Sequence, residues 1–326
     1  MLSVNVRMVA VMLFAGGQWA VTNAALAEYP EAPIRLIIPF ASGSATDTSA
    51  RIYAAALSKQ LGQQVVPDNR PGAGGAIGME LLARAAPNGY TIAYAGAGPL
   101  AINRSIAEKL PYDVEKDFAP ISQAIDAPLM LAASPTLPVK TVKDVIALAK
   151  ARPGQLSNGS SGTGTIGYLA GELFKLMTNT QIVHIPYKGG AQAAIDIIGG
   201  HVQLIFDPIN GVSTFVKAGK LRGLAVTGTR RVGSFPDLPT VAESGVPGYD
   251  VTTWGGLIAP IRVPAAMVAR LSQEMRTAAA SPFVKDSYVP LGAEPRASTP
   301  DEFAALIRRE TAKWADVVKR TEKNAK

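Results

Sequence analysis

The sequence predicts an α/β protein made of two βα series, and three observations support this prediction. Strand and helix patterns alternate along most of the 326 residues. In each series, one short strand runs through a loop of Gly, Ser and Thr directly into a helix. Residues 230–249, which are rich in Pro and Gly, then lead into a further extended apolar segment. This order favours two lobes, each a mainly parallel sheet flanked by helices, joined by crossing strands.

The first series opens with an apolar strand at 34–40 and a loop at 41–46. A helical pattern follows from Asp47 and ends at Gly62. Another Gly-rich turn, at 70–75, also leads into a helix. The remaining elements predicted for this unit are strands at 64–69 and 91–95, a helix ending near Ala86, and extended segments at 118–125 and 129–133 around Pro128.

The second series contains the other prominent loop, at 159–165, between a short strand and a helix. Two helices close the chain; Pro264 suits the first turn of one, and Thr299 caps the other. The elements predicted here are helices at 141–152, 166–178, 190–198, 211–218, 264–280 and 299–320, and strands at 156–158, 182–185, 204–207, 224–227 and 252–259. From this order we expect lobe 1 to comprise 28–127 and 251–326, and lobe 2 to comprise 128–250.

The first 27 residues have the features of a cleavable export signal. Arg7 supplies a positive charge, residues 8–17 are apolar, and Ala25-Leu26-Ala27 is a small-x-small cleavage site. No later stretch is both apolar and long enough to cross a bilayer. The chain has no Cys, which excludes disulfide bonds and a lipid-modified N-terminal Cys. We therefore expect a soluble, monomeric periplasmic protein.

The composition excludes several other classes of protein. Hydrophobic residues at 48% and charged residues at 17% indicate a folded globular chain rather than a disordered one. The formal charge of +7 permits anionic partners. However, no stripe of Lys and Arg is interleaved with aromatic residues, so we expect no nucleic acid partner. The scattered charge would favour an anionic ligand only weakly.

The two strand-to-helix loops are the main candidates for a ligand site. A helix start presents unpaired N–H groups and the positive end of the helix dipole, so each loop can hold an anion such as a carboxylate. Neither loop contains the Lys that a nucleotide phosphate site requires. Asp47 is expected to cap its helix while nearby N–H groups face the ligand. The candidates in these loops are Phe40, Ser42, Gly43, Ser44, Thr46, Asp47, Ser160, Ser161, Gly162, Thr163, Gly164 and Thr165.

Four further residues are candidates outside these loops. Asp207 ends an apolar strand, a costly place for a charge without a partner or a function, so we expect it in the cleft. Tyr187 begins a third strand-to-helix loop, from which its hydroxyl could reach the ligand. Ala97 lies in a fourth loop and offers only backbone groups. Trp254, beside two Gly residues, suits a ligand wall and the core equally well.

Catalytic and cofactor motifs are absent from the sequence. Residues 162–167 match G-x-G-x-x-G, but the next strand does not end in the acid that a dinucleotide site needs. The two His residues, His184 and His201, belong to no Ser/His or Cys/His arrangement and to no metal-ligand cluster, and we expect structural or incidental roles for them. We expect neither an enzyme nor a bound cofactor or metal.

Many short stretches resemble one family in the same order along the chain. The family is that of the Bug receptors, the substrate-binding components of tripartite tricarboxylate transporters, and the resemblance extends from about Tyr29 to Trp314. The matching stretches are Tyr29-Pro30 to Phe40, Thr46-Asp47, Ala50-Arg51, 69–75, 86–91, 110–113, 117–120, 169–174, 186–190, 239–245 and 291–295.

The resemblance implies a two-lobed periplasmic-binding-protein fold, also called a Venus flytrap. It implies a receptor that binds a small carboxylate of aromatic, aliphatic or amino-acid type and delivers it to membrane subunits of the transporter. The ligand carboxylate would lie between residues 40–47 and 160–165, with Asp207 nearby. Two departures bear on ligand choice: Ser44 stands where the family usually has a second Gly, and Tyr168 where it usually has a His.

Two other functions are compatible with the sequence alone. The chain could sense the same kind of solute and dock on a membrane histidine kinase instead of a transporter. It could also be an exported hydrolase or lyase that uses Ser and Asp, although no motif supports that chemistry.

Overall fold

The computed structural model describes residues 29–107, 109–187 and 189–324, so the predicted signal segment lies outside the described residues. The strands are β1 (Ile34–Ile38), β2 (Val65–Asn69), β3 (Thr91–Gly96), β4 (Phe118–Ala133), β5 (Leu156–Ser160), β6 (Ile182–Pro186), β7 (Leu204–Pro208), β8 (Arg222–Val226), β9 (Thr252–Pro260) and β10 (Glu294–Pro295). The α-helices are α1 (Ala45–Leu61), α2 (Ala76–Ala83), α3 (Asn103–Ile106), α4 (Val114–Asp117), α5 (Val142–Ala151), α6 (Ile166–Thr178), α7 (Gly190–Ile198), α8 (Ile209–Lys217), α9 (Ala265–Ala280), α10 (Pro282–Tyr288) and α11 (Pro300–Asn324).

Two sheets share the long strand β4. The first sheet has the order β2-β1-β3-β9-β4-β10, and the second has the order β6-β5-β7-β4-β8. In each sheet three strands run parallel to one another: β1, β2 and β3 in the first, and β5, β6 and β7 in the second. The strands that pair with β4 are antiparallel to it, so both sheets are mixed rather than mainly parallel.

Helices cover both faces of the sheets because the strand residues alternate in direction. Leu36 and Ile38 of β1 pack with α1, α9 and α10, whereas Ile37 between them belongs to the core on the opposite face. That second core continues from the first sheet into the second and includes residues of α2, α6 and α11. A third core lies between the second sheet and helices α7 and α8. The predicted α/β class is confirmed.

The sequence prediction missed several features of this fold, among them the π-helix Gly98–Ile102 and the short helices α3 and α4, which lie where no element was predicted. Strand β4 continues through Pro128 instead of breaking there. Helix α10 and the short strand β10 lie where no element was predicted. Strand β10 is only two residues long and pairs with the middle of β4, so its sequence has no detectable alternation. None of the helices in the described part of the chain combines the length and apolarity needed to cross a membrane.

Thr227 joins the chain segments that connect the two sheets. Its side-chain oxygen accepts from the Leu129 N–H at 2.7 Å and its hydroxyl donates to the Val251 carbonyl at 2.6 Å. Its own N–H donates to the Leu129 carbonyl, and its carbonyl accepts from the Val251 N–H, both at 2.9 Å. The residue is fully buried. Thr227 therefore satisfies the backbone of both neighbouring segments at the place where β4 passes from one sheet to the other.

Replacing Thr227 by Val should lower the free energy of unfolding by about 1–3 kcal/mol, because the Leu129 N–H is left buried without its partner. Urea denaturation measures this change. Thr277→Val is the matched control, since the exposed Thr277 hydroxyl donates only to a carbonyl of its own helix. Equal stabilities of the two variants would contradict the assigned role.

Candidate functional site

The first loop is held in place by its own polar groups. Ser44 caps α1 by accepting the Asp47 N–H at 3.2 Å, and the Asp47 carboxylate accepts the Gly43 N–H at 2.8 Å. Gly43 has a φ of +80°, which favours glycine. Ser42 and Gly43 remain exposed, and Phe40, Ser44 and Thr46 are half-buried. The first-turn N–H groups of α1 therefore start beside an accessible loop.

The carboxylate of Asp47 connects this loop to the neighbouring strand. It accepts from Arg51 Nε at 2.9 Å and from Asn69 Nδ2 at 2.8 Å. Asn69 Nδ2 also donates to the Phe40 carbonyl at 3.0 Å. Burial opposes ionisation of this carboxyl, but the hydrogen bonds from Arg51, Gly43 and Asn69 outweigh it and lower its pKa. The structure thus places Asp47 in the first turn as the group that positions the loop, whereas the helix cap predicted at Asp47 is Ser44.

The second loop has a comparable internal support. Ser160 is buried, and its hydroxyl is 2.7 Å from His184 Nε2 and accepts the Gly162 N–H at 3.1 Å. Thr165 caps α6 by accepting the Tyr168 N–H at 3.4 Å. Burial and the nearby Lys175 charge lower the pKa of His184 to about 4, so its ring is neutral near pH 7. His184 therefore has a structural role in holding this loop.

Gly164 is the point where the second loop touches the half of the molecule built on the first sheet. Its φ is +82°, and a Cβ added there would lie 2.1 Å from Ile106 Cδ1 in α3. No side chain fits between them without movement. Nearby, Ser161 and Gly162 are half-buried and Thr163 is exposed. The second loop thus presents its accessible backbone next to an apolar contact between the two halves.

Asp207 lies at the carboxyl end of β7, between the first turns of α7 and α8. Cβ atoms added at Gly190 and Gly211 would lie 2.9 and 2.2 Å from its carboxylate, so only glycine leaves space for it. Its side chain is almost fully buried, and within the described residues no cation or hydrogen-bond donor partners it. Burial raises the pKa of Asp207 to about 7.

The polar side-chain groups of Tyr187 and Trp254 are engaged within the protein. The Tyr187 hydroxyl donates to Asp196 Oδ2 at 2.6 Å, so it is engaged on α7. Trp254 is buried; its Nε1 donates to Glu310 at 3.3 Å, and its ring meets Phe303 edge-on. For Trp254 the structure therefore favours the core over the ligand wall. Ala97 is buried before the π-helix Gly98–Ile102.

Four residues that support the loops were not among the sequence candidates. Arg51 and Asn69 hold the first loop through Asp47, His184 holds the second, and Ile106 contacts Gly164. Only Arg51 had a local signal, since it follows Asp47 by four residues on one helix face. The other three come from distant segments. Within the described residues, no group of three or more His, Asp or Glu is arranged to hold a metal ion.

Replacing Asp47 by Asn should lower the free energy of unfolding by about 1–3 kcal/mol at pH 7, because the amide cannot accept from all of the surrounding donors. The pKa of Asp47 lies below 3.8, so the ionised form stabilises the fold above that pH and loses this effect as pH falls through the folded-state pKa. Urea denaturation from pH 3 to pH 7 should therefore show the two proteins converging in acid. Asp286→Asn, at an exposed position, is the control. A constant difference at all pH values would contradict this role.

Asp207 should affect the pH dependence of stability in the sense opposite to Asp47, and replacing it by Asn should remove that effect. The unfolded chain releases this proton near 3.8, whereas the folded protein retains it until about 7. Stability is therefore fully present below pH 3.8 and falls as pH rises toward 7. Relative to the Asn variant, the native protein should lose on the order of 1 kcal/mol for each pH unit in this window. Parallel melting curves across the window would refute the assignment.

Comparison with known proteins identifies the family. Residues 49–322 match the family described as "Tripartite tricarboxylate transporter family receptor". The structure is similar to R. palustris Rpa4515 with adipate, with 36% identity and a TM-score of 0.83 over 90% of this chain and 98% of that one. It is similar to periplasmic binding protein BugD, with 33% identity and a TM-score of 0.79 over 90% and 99%.

A third similar structure is MatC from Rhodopseudomonas palustris with bound malate, with 29% identity and a TM-score of 0.78 over 89% and 100% of the two chains. These matches confirm the predicted periplasmic-binding-protein fold. The matched family consists of receptors rather than enzymes. The chain therefore belongs to the tripartite tricarboxylate transporter receptor family, the family of the Bug proteins.

Proposed function

We propose that this receptor captures a small carboxylate between two lobes in the periplasm and delivers it to the membrane subunits of a tripartite tricarboxylate transporter. The observation that carries the proposal is the pair of strand-to-helix loops, one in each sheet. Each loop leads into a helix of more than two turns, α1 or α6, and each is fixed by internal hydrogen bonds. Both can therefore offer backbone N–H groups to one anion.

The energy of such a site is sufficient for useful affinity. A hydrogen bond to a charged group contributes about 1.5–3 kcal/mol. Several such hydrogen bonds, less the free-energy cost of association, give a binding free energy of about −8 kcal/mol, which corresponds to a low-micromolar dissociation constant. The side chains of Ser44, Asp47, Ser160 and Thr165 already serve the loops, so we assign the carboxylate to the backbone.

The chemistry of the ligand is supported by two relatives. Rpa4515 was observed with adipate and MatC with malate, and both ligands are dicarboxylates. We therefore place aliphatic dicarboxylates first, ahead of aromatic and amino-acid carboxylates. The protonated form of Asp207 would donate a hydrogen bond to an oxygen of such a ligand in the same cleft.

Capture would proceed by movement of the lobes around Thr227. We propose lobe 1 as residues 28–127 with 251–326 and lobe 2 as 128–250, because β4 passes between the sheets at Pro128 and Leu129. Closing would exclude water from the carboxylate and strengthen each hydrogen bond. The export signal predicted at residues 1–27 supports a periplasmic location.

A thermal-shift screen of carboxylates tests the proposal. Ligand at 100 times its dissociation constant should add about 2.7 kcal/mol of stability. Ser44→Leu and Thr163→Leu, one in each loop, should each abolish the rise in melting temperature by crowding the N–H groups. Ser281→Leu is the matched control because Ser281 also caps a helix, α10, outside the loops. A response that survives both loop substitutions would exclude the two-loop site.

A further inference from the structure

A cavity of about 340 Å³ lies at the junction of the two sheets. Its walls come from the middle of the shared strand β4, from residues 228–234 after β8, and from residues 289–296 around β10. A volume of this size suits a small molecule. As far as its lining is described, it includes no residue of the two ligand loops. It is therefore a second concave site, independent of the proposed carboxylate site.

The cavity is lined by two arginines, Arg230 and Arg296, whose guanidinium groups lie near acidic side chains but stay open to solvent: the Arg230 side chain is 74% exposed and that of Arg296 is 40% exposed. Arg230 approaches Glu294 at 3.9 Å, and Arg296 approaches Glu294 at 3.3 Å and Asp126 at 3.9 Å. Neither guanidinium makes a hydrogen bond within the described part of the chain. The third arginine, Arg231, is already engaged by Glu243 at 3.0 Å. Two planar groups whose N–H donors are accessible to solvent therefore lie on either side of the Glu294 carboxylate.

The carboxylate of Glu294 indicates that an oxyanion fits between Arg230 and Arg296. Its carboxylate lies near both guanidinium groups, yet its side chain is 68% exposed. Such an exposed ion pair contributes little stability, so another oxyanion can displace it at low cost. Arginine pairs of this kind recognise planar or tetrahedral oxyanions through paired N–H···O bonds.

The two arginines belong to different sheets. Arg230 follows β8 of the second sheet, and Arg296 follows β10 of the first sheet. The backbone of Arg296 is firmly held, since its N–H donates to Ala124 and its carbonyl accepts from the Tyr53 hydroxyl, both at 2.9 Å. An anion bound to both guanidinium groups would thus connect the two halves of the receptor.

We propose that this cavity is a second anion site, in which a small carboxylate or phosphate replaces Glu294 between Arg230 and Arg296 and holds the two sheets in a fixed arrangement. Asp126 lies on the same wall, and one of its carboxylate oxygens is buried without a hydrogen-bond partner. Its negative charge limits affinity, so the site suits regulation by an abundant anion rather than tight capture.

Isothermal titration of the mature chain with inorganic phosphate, and separately with malonate, tests this site at constant ionic strength. The titrations use the Ser44→Leu background, so that the loop site does not contribute. Arg230→Gln and Arg296→Gln should each weaken binding at least tenfold, whereas Glu294→Gln should tighten it by removing the internal competitor. Arg84→Gln is the control, because Arg84 is exposed and pairs only with Glu80 on its own helix.

Unchanged binding in both arginine variants, or weaker binding in Glu294→Gln, would overturn the site. Binding of only one of the two probes would identify which oxyanion the site takes. The absence of a cysteine allows a direct test of bridging with spin labels at Lys59→Cys and Lys150→Cys, one on each half. The bound anion should narrow the distance distribution between the labels, and Arg230→Gln should abolish that narrowing. An unaltered distribution would refute the bridge while leaving the proposed loop site intact.

Discussion

The continuous passage of β4 through both sheets is the constraint on which this structure depends. Its first part pairs with β9 and β10, and its last residues pair with β7 and β8. The orientation of one sheet relative to the other therefore depends on this strand at Pro128 and Leu129, on the segment at Val251 beside it, and on the core that continues from the first sheet into the second. Thr227 satisfies the backbone of the neighbouring segments at this crossing.

The polar side chains of the two loops serve the loops themselves. Asp47 binds three donors from different segments, and Ser160 connects its loop to His184. Under the proposed function, this use of side chains leaves recognition of the carboxylate to the backbone N–H groups of the loops.

Asp207 and the pair formed by Arg230 and Arg296 stand apart from this pattern. Asp207 is enclosed by two glycines, and Arg230 and Arg296 share Glu294 at the sheet junction. Burial makes ionisation of Asp207 costly, whereas the two arginines remain accessible to solvent. Asp207 lies at the carboxyl end of β7, and the arginine pair lies at the junction of the two sheets. Their incomplete pairing is consistent with groups that acquire partners when the halves or a ligand come together.

The sequence by itself determined the α/β class, nearly every helix and strand, and both strand-to-helix loops, because periodicity, glycines and caps are local signals. It also indicated the family through many short matches in order. Only the tertiary structure decided that β4 is unbroken, that Trp254 lies in the core, and that His184 supports the second loop. It alone brought Arg230 and Arg296 together. These outcomes depend on pairing and packing between residues far apart in the chain, and no local pattern encodes such distances.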